Sequence, residues 1–138
     1  MAAVAPGHTV NREMRLLQIA VAVAALVPIT AGLAGILGGP TVFGPDARGV
    51  TIDSHVRYLS GLLLGIGLAF WSFIPRMTQV TREVRLLTAL VVLGGLARLL
   101  SLVLFGMPSA GMMFGLVMEL VVTPALCLWQ GRIARSAE

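Results

Sequence analysis

Four long apolar stretches, separated by short polar connections, dominate the chain. They run over residues 14–37, 54–74, 84–105 and 110–130. Each is long enough to cross a hydrocarbon core of about 30 Å, which takes about 20 residues at a rise of about 1.5 Å per residue. A helix satisfies its own backbone hydrogen bonds within lipid. The pattern therefore predicts an all-α integral membrane protein, a four-helix bundle forming a single domain over residues 1–138.

The polar segments between these stretches carry ordinary turn and cap signals. Gly44-Pro45-Asp46 predicts a turn in the first connection. Asp53 or Ser54 is a suitable cap for the second helix. The tight segment 106–109 predicts that helices three and four are antiparallel neighbours. The first apolar stretch is longer than the core of a signal peptide, so we expect an uncleaved first helix.

The arginines indicate which way the chain crosses the membrane. The connection 38–53 holds only Arg48 against Asp46 and Asp53, and the connection 106–109 has no charge. The other ends of the helices carry most of the arginines: Arg12, Arg15, Arg76, Arg82, Arg85, Arg132 and Arg135. The positive-inside rule then predicts that both termini and the connection 75–83 are cytoplasmic. We expect a multi-pass membrane protein, and the family resemblance given below implies a bacterial inner membrane.

Composition supports the membrane assignment and argues against nucleic acid as a partner. Hydrophobic residues make up 57% of the chain and charged residues only 12%, against about 25% charged in soluble domains. The net charge is +4. The arginines nevertheless sit in short clusters beside apolar runs, and the chain has no lysine. That distribution is typical of membrane orientation rather than of a basic face for nucleic acid.

Three charges within the apolar stretches lie near small residues that favour close helix packing. Gly61 and Gly65, Gly94 and Gly95, and Gly111 and Gly115 mark candidate packing faces of helices two, three and four, as Gly32 and Gly35 do in helix one. Arg57 precedes Gly61 by four residues, Arg98 follows Gly94 by four and Glu119 follows Gly115 by four. Residues four apart share a helix face. We therefore expect Arg57, Arg98 and Glu119 to gather inside the bundle, in its outer half.

These charges are the candidates for chemistry, because a charge near mid-membrane costs about 2.5–3.5 kcal/mol on insertion scales. Arg98 and Glu119 form either a structural ion pair or a ligand or proton site. Arg57 has the spacing for an i,i+4 pair with Asp53, and it can also snorkel to headgroups. His55 can titrate near neutral pH. The candidate ligand-binding set comprises all five residues, with Glu119 and His55 as catalytic candidates if the protein is an enzyme.

Other reactive residue types receive simpler interpretations. Metal-ligand motifs are absent from the sequence, so we predict no metal and no cofactor. We expect Cys127, the one cysteine of the sequence, to pack as a small hydrophobic side chain. Pro28 and Pro124 lie within helices and predict kinks. A kink at Pro124 either opens space beside Glu119 or is tolerated without a role.

Three motifs carry a family resemblance. They are Asp53 to Gly61 (DSHVRYLSG), Gly94 to Ser101 (GGLARLLS), and Glu119-Leu120 followed by Pro124. In this order, over about Arg15 to Arg132, they resemble a bacterial family of small four-span membrane proteins known only as a domain of unknown function. The layout is also similar to DoxX-like four-helix proteins. The resemblance implies that the five candidate residues match signature positions, but it implies no activity.

Three functional hypotheses follow from these observations. The first is a binding protein or accessory subunit that holds an amphiphile, a lipid or a quinone, in the outer half of the bundle. The second is a membrane enzyme acting on a lipophilic substrate by acid/base chemistry. The third is a structural or interaction protein whose charges only fix helix packing. Partners expected from the sequence are membrane lipid, a quinone or other amphiphile, and a second copy or another membrane protein.

Overall fold

The structure, a computed structural model, describes residues 6–44 and 49–136, and these are almost entirely helical. The α-helices are α1 (Pro6–Gly38), α2 (Val50–Phe73), α3 (Thr81–Phe105), α4 (Ala110–Val117) and α5 (Thr123–Ser136). A π-helical turn, Met118–Val122, joins α4 to α5. Short 3-10 turns occupy Pro40–Val42 and Ile74–Arg76.

Four helical segments are long and apolar enough to cross a membrane: Asn11–Gly38, Val50–Arg76, Thr81–Phe105 and Ala110–Ser136. The all-α class and the four spans are therefore confirmed. The orientation of the termini stays a prediction. The predicted turn at Gly44-Pro45-Asp46 and the charges of Asp46 and Arg48 fall wholly or partly outside the described residues.

The second helix begins earlier than its apolar stretch. α2 starts at Val50, directly after Gly49, whose φ of 115° breaks the helical path. The Asp53 N–H donates to the Gly49 carbonyl at 2.9 Å, so Asp53 lies inside the first turn. The prediction that Asp53 or Ser54 caps this helix is therefore wrong. A carboxylate in the first turn still complements the positive end of the helix dipole.

The described residues divide into two compact units, one within residues 1–24 and 73–138 and the other within residues 25–72. We call them the first and the second unit. In the first unit, α3 contacts α4, the π-helical turn and α5, which confirms that helices three and four are neighbours. The sequence predicts that the whole chain forms a single domain. That prediction is about how the two units fit together, and it stays a prediction.

Two glutamines tie α1 and α5 of the first unit to the connection before α3. Gln18 Nε2 donates to the Ile74 carbonyl at 2.9 Å. Gln130, which is 2% exposed, donates from Nε2 to the Met77 carbonyl at 2.5 Å and to Thr81 Oγ1 at 2.9 Å. Buried main-chain carbonyls need such partners. The two side chains therefore fix α1 and α5 to the same short segment.

In the second unit, α1 and α2 approach each other closely at glycines. A Cβ on Gly32 would lie 2.7 Å from Leu64 N, one on Gly35 would collide with the Ser60 side chain, and one on Gly67 would lie 3.0 Å from Ile29 N. The packing stripe of α2 thus runs through Ser60, Leu64 and Gly67.

The packing role predicted for Gly61 and Gly65 is wrong. A Cβ on either glycine would meet nothing within 4 Å. One residue turns the helix by about 100°. A glycine directly after Ser60 or Leu64 therefore points away from α1.

Candidate functional site

Arg98 of α3 and Glu119 of the π-helical turn form a two-bond ion pair within the first unit. Arg98 Nε donates to Glu119 Oε2 at 3.1 Å, and Nη2 donates to Oε1 at 3.1 Å. The Arg98 side chain is 33% exposed and the Glu119 side chain 16%. Paired hydrogen bonds of this kind fix the plane of the guanidinium as well as its position. The two opposite charges that the sequence places on helices three and four are therefore in contact.

The π-helical turn determines where Glu119 sits. Pro124 has no N–H, so the Leu120 carbonyl four residues earlier lacks its α-helical donor. The main-chain N–H of Thr123 donates to the Met118 carbonyl, five residues back, rather than to the Glu119 carbonyl four residues back. Thr123 Oγ1 donates to the same carbonyl at 2.8 Å. The sequence predicts a kink near Pro124, and the structure has a widened turn that includes Glu119.

Gly95 allows α3 to approach this turn. A Cβ on Gly95 would lie 2.7 Å from Leu120 Cδ2 and 3.0 Å from Glu119 Cβ. The preceding glycine, Gly94, would place its Cβ in open space. The packing role predicted for Gly94 is therefore wrong, whereas that of Gly95 is confirmed. Gly95 brings the Glu119 backbone to the distance at which Arg98, three residues further along α3, reaches both carboxylate oxygens.

The fourth span also places the Met112 side chain against Arg98. Arg98 Nη1 donates to Met112 Sδ at 2.7 Å, and a Cβ on Gly115 would lie 3.9 Å from Nη1. Met112, Gly115 and Glu119 follow one another at helical spacing, so they line one face. Gly111, by contrast, faces open space, because it stands one residue out of phase with that stripe. Its predicted packing role is wrong.

Arg98 retains hydrogen-bonding capacity after these contacts. A guanidinium has five N–H donors. Glu119 accepts two of them and Met112 a third. Within the described residues, two donors of a partly exposed cation thus stay available. Because Glu119 cancels the charge, the pair offers directed N–H groups without a net positive charge.

The second unit contains the other predicted pair, Asp53 with Arg57. Arg57 Nε donates to Asp53 Oδ2 at 2.8 Å and Nη2 to Oδ1 at 3.1 Å. Nη1 donates to the carbonyl of Ile36, in the last turn of α1. The last four carbonyls of a helix lack intrahelical partners, so Arg57 caps α1 from α2. This confirms the i,i+4 pair.

Gly39 completes the arrangement around Arg57. Its φ is 67°, a conformation that glycine adopts without a steric penalty. A Cβ there would lie 2.8 Å from Asp53 Oδ1 and 3.0 Å from Arg57 Nη2. The chain leaving α1 therefore passes directly over the ion pair. These contacts give Asp53 and Arg57 a structural role, and their ligand role stays a prediction.

The remaining candidates are distributed between the two units. His55 is exposed on α2, in the second unit, whereas Glu119 belongs to the first. Arg57 lies in the second unit, whereas Arg98 and Glu119 lie in the first. That the three gather in one cluster therefore stays a prediction. Over residues 6–44 and 49–136, no three metal-ligating side chains converge; whether the protein uses a metal stays untested. Cys127 is partly buried.

Several contributors to the site were missed from the sequence. Met112 could have been found from its spacing, because it lies three residues before Gly115, which in turn lies four residues before Glu119. Pro124 signalled a helix irregularity but not its π-helical form. Away from this site, the buried Gln130, whose partners lie about 50 residues away in the chain, also left no local signal.

Comparison with known proteins identifies a family and adds no activity. No curated protein matches the chain. No solved structure matches it either. A family model described as a domain of unknown function (DUF4345) matches residues 16–130. The match covers all three sequence motifs and most of the four spans. The chain therefore belongs to this family, the domain of unknown function DUF4345.

Proposed function

We propose that this protein binds an amphiphilic molecule, a lipid or a quinone, whose polar head contacts Arg98 and Glu119. The observation that carries the proposal is the set of N–H donors on Arg98. The guanidinium is oriented by Glu119, is 33% exposed, and keeps two donors beyond its bonds to Glu119 and Met112. Ionisable residues within spans are costly, and they commonly mark ligand or ion sites.

The chemistry of the pair favours a head with hydrogen-bond-accepting oxygens. A neutral carbonyl, as in a quinone or a glycerolipid ester, can accept from Arg98 without displacing Glu119. A fully anionic head would compete with the carboxylate for the same guanidinium. The surrounding spans supply the apolar surface for a ring or acyl chain, as ligand sites combine apolar lining with few polar groups. An accessory role beside another membrane protein is compatible with this proposal.

Native mass spectrometry of the detergent-purified protein is the test. We expect the wild type to carry a copurifying amphiphile, or to take up an added short-chain quinone or diacylglycerol. Arg98→Gln, which keeps amide donors but loses the guanidinium fork, should lower retention at least tenfold. Arg98→Lys should fall between the two, because lysine keeps the charge but cannot form the fork.

A matched control and a stability measurement make the result decisive. Leu100→Ala removes an exposed side chain from the same helix and should retain the ligand. If the wild type binds none of the copurified or added amphiphiles, the proposal fails. If Arg98→Gln and Glu119→Gln together restore wild-type stability without changing bound lipid, the pair only fixes helix packing. That outcome would favour the structural hypothesis, which the paired hydrogen bonds also support.

The enzyme hypothesis is kept as a separate outcome of the same experiments. It requires Glu119 or His55 as acid or base, and the two lie in different units. The catalytic role of either residue stays a prediction. Chemical change of a bound amphiphile, detected as a mass shift and abolished by Glu119→Gln, would favour it. Turnover that persists without both Glu119 and His55 would contradict it.

A further inference from the structure

The first unit carries a second charged region, away from the Arg98–Glu119 pair. Gln18 and Gln130 fasten α1 and α5 to the connection before α3. The early part of α1, the start of α3 and the end of α5 therefore lie together. Each of these three segments bears exposed arginines. We call the set of six the basic end: Arg12, Arg15, Arg82, Arg85, Arg132 and Arg135.

The basic end carries more positive than negative charge. Among the described residues the two ion pairs are Asp53–Arg57 and Arg98–Glu119. Glu13 and Glu83, the acidic residues in these segments, are exposed and form neither of these pairs. Six arginines against these two glutamates (six minus two) leave a formal charge of +4 among the described side chains of these segments, so an anion is attracted to this end of the unit.

An arginine of α3 reaches α5. A Cβ on Gly131 of α5 would lie 3.7 Å from Arg85 Nη2, so the Arg85 side chain extends across to α5, to the residue that precedes Arg132. Arg82 and Arg85 are three residues apart and share a helix face. Arginine binds phosphate oxygens through two parallel hydrogen bonds, and several together form a good phosphate site.

Exposed leucines one turn deeper in each span identify the kind of phosphate compound. Leu86 follows Arg82 by four residues and is 63% exposed; Leu128 precedes Arg132 by four and is 75% exposed. Each cation therefore stands over an apolar side chain on the same face of its helix, toward the middle of the span. A phospholipid has this order of groups, a phosphate at the interface and acyl chains below it. A free phosphate or a nucleic acid has no use for the leucines.

We propose that the basic end binds the headgroup of an anionic phospholipid, with Arg82, Arg85 and Arg132 on its phosphate and the acyl chains along Leu86 and Leu128. The site does not depend on the function proposed for Arg98. Each arginine near an anionic lipid strengthens binding by about 1 kcal/mol, or about fivefold. Loss of all three should weaken binding on the order of 100-fold.

The test is lipid titration of the full-length protein in a nonionic detergent, followed by native mass spectrometry. In detergent the binding does not depend on membrane orientation. The wild type should bind dioleoylphosphatidylglycerol at least tenfold more tightly than dioleoylphosphatidylcholine. Arg82→Gln/Arg85→Gln/Arg132→Gln should lose this preference while binding the zwitterionic lipid as before. The corresponding triple lysine variant should keep part of the preference, because lysine retains the charge without the fork.

Three results would overturn the proposal. Equal binding of the two lipids by the wild type would remove its basis. A triple glutamine variant that has normal helicity by circular dichroism and still prefers phosphatidylglycerol would exclude the arginines. Inorganic phosphate that displaces phosphatidylglycerol at equal concentration would show that the acyl chains contribute nothing. Arg98→Gln separates this proposal from the proposed function: it should retain the preference for phosphatidylglycerol, and a loss would place that lipid at Arg98 instead.

Discussion

Substitution of Gly95 by alanine tests how closely α3 approaches the turn that carries Glu119. The added Cβ would lie 2.7 Å from Leu120 Cδ2 and 3.0 Å from Glu119 Cβ. The Leu120 methyl group lies at the end of a flexible side chain and can move. The Glu119 Cβ is fixed to the backbone, so relief of that contact requires α3 and the π-helical turn to separate.

The magnitude can be worked from two opposing effects. Overpacking a close contact costs about 1–3 kcal/mol. Replacing a helical glycine by alanine contributes up to about 1 kcal/mol of stability through helix propensity. Gly94→Ala gains helix propensity without overpacking, because its Cβ would meet nothing within 4 Å. The propensity gain cancels between the two variants, so we expect Gly95→Ala to be less stable than Gly94→Ala by about 1–3 kcal/mol.

Reversible unfolding in mixed detergent micelles, followed by circular dichroism, measures this difference. Both variants should keep the helical content of the wild type before unfolding. Gly95→Ala should also weaken ligand retention at Arg98, since displacement of Glu119 disturbs the paired hydrogen bonds. Equal stability of the two alanine variants would refute the close approach of α3 to the π-helical turn.

Three further predictions concern polar contacts and packing in the two units. The double-mutant cycle of Arg98→Gln and Glu119→Gln should give a coupling energy of about 0.5–3 kcal/mol from unfolding midpoints; a coupling of zero would mean that the pair adds nothing to stability. Gly32→Ala should lower stability by about 1–3 kcal/mol relative to Gly65→Ala, and the reverse order in the same unfolding assay would contradict the packing stripe described for α2. Gln130→Leu should cost about 1–3 kcal/mol by leaving the Met77 carbonyl without its donor, with faster amide exchange around Met77 as the readout; unchanged exchange would argue against that hydrogen bond.

The four spans could be predicted because length and composition alone determine which segments lipid accepts. The pairing of Arg98 with Glu119 could also be predicted, since opposite charges on neighbouring helices are costly to leave apart. The family resemblance held over the same motifs. The spans, the charge pairing and the family motifs depend on residue types spread over whole helical turns. A shift of one residue in a predicted helix boundary therefore does not change them.

Features that depend on the rotation of a helix could not be predicted. Gly94 and Gly95 are equivalent in the sequence, and Gly61 is as suitable for packing as Gly67. A shift of one residue turns the helix by about 100°, which decides whether a glycine contacts a neighbour or faces outward. The start of α2 was likewise missed, because Val50 and Thr51 precede the apolar stretch and only the positive φ of Gly49 ends the connection there.

The geometry of the Arg98–Glu119 pair shows how these two kinds of information combine. Charge specifies that the third and fourth spans attract each other, but an arginine can reach a carboxylate from many positions. The lost N–H of Pro124, the hydrogen bonds from Thr123 to the Met118 carbonyl and the absent side chain of Gly95 together place Glu119 opposite the guanidinium edge. None of these effects involves charge. A variant that keeps both charges but restores an ordinary α-helical turn would therefore be expected to lose the paired hydrogen bonds, and with them the orientation of the donors on which ligand binding at Arg98 depends.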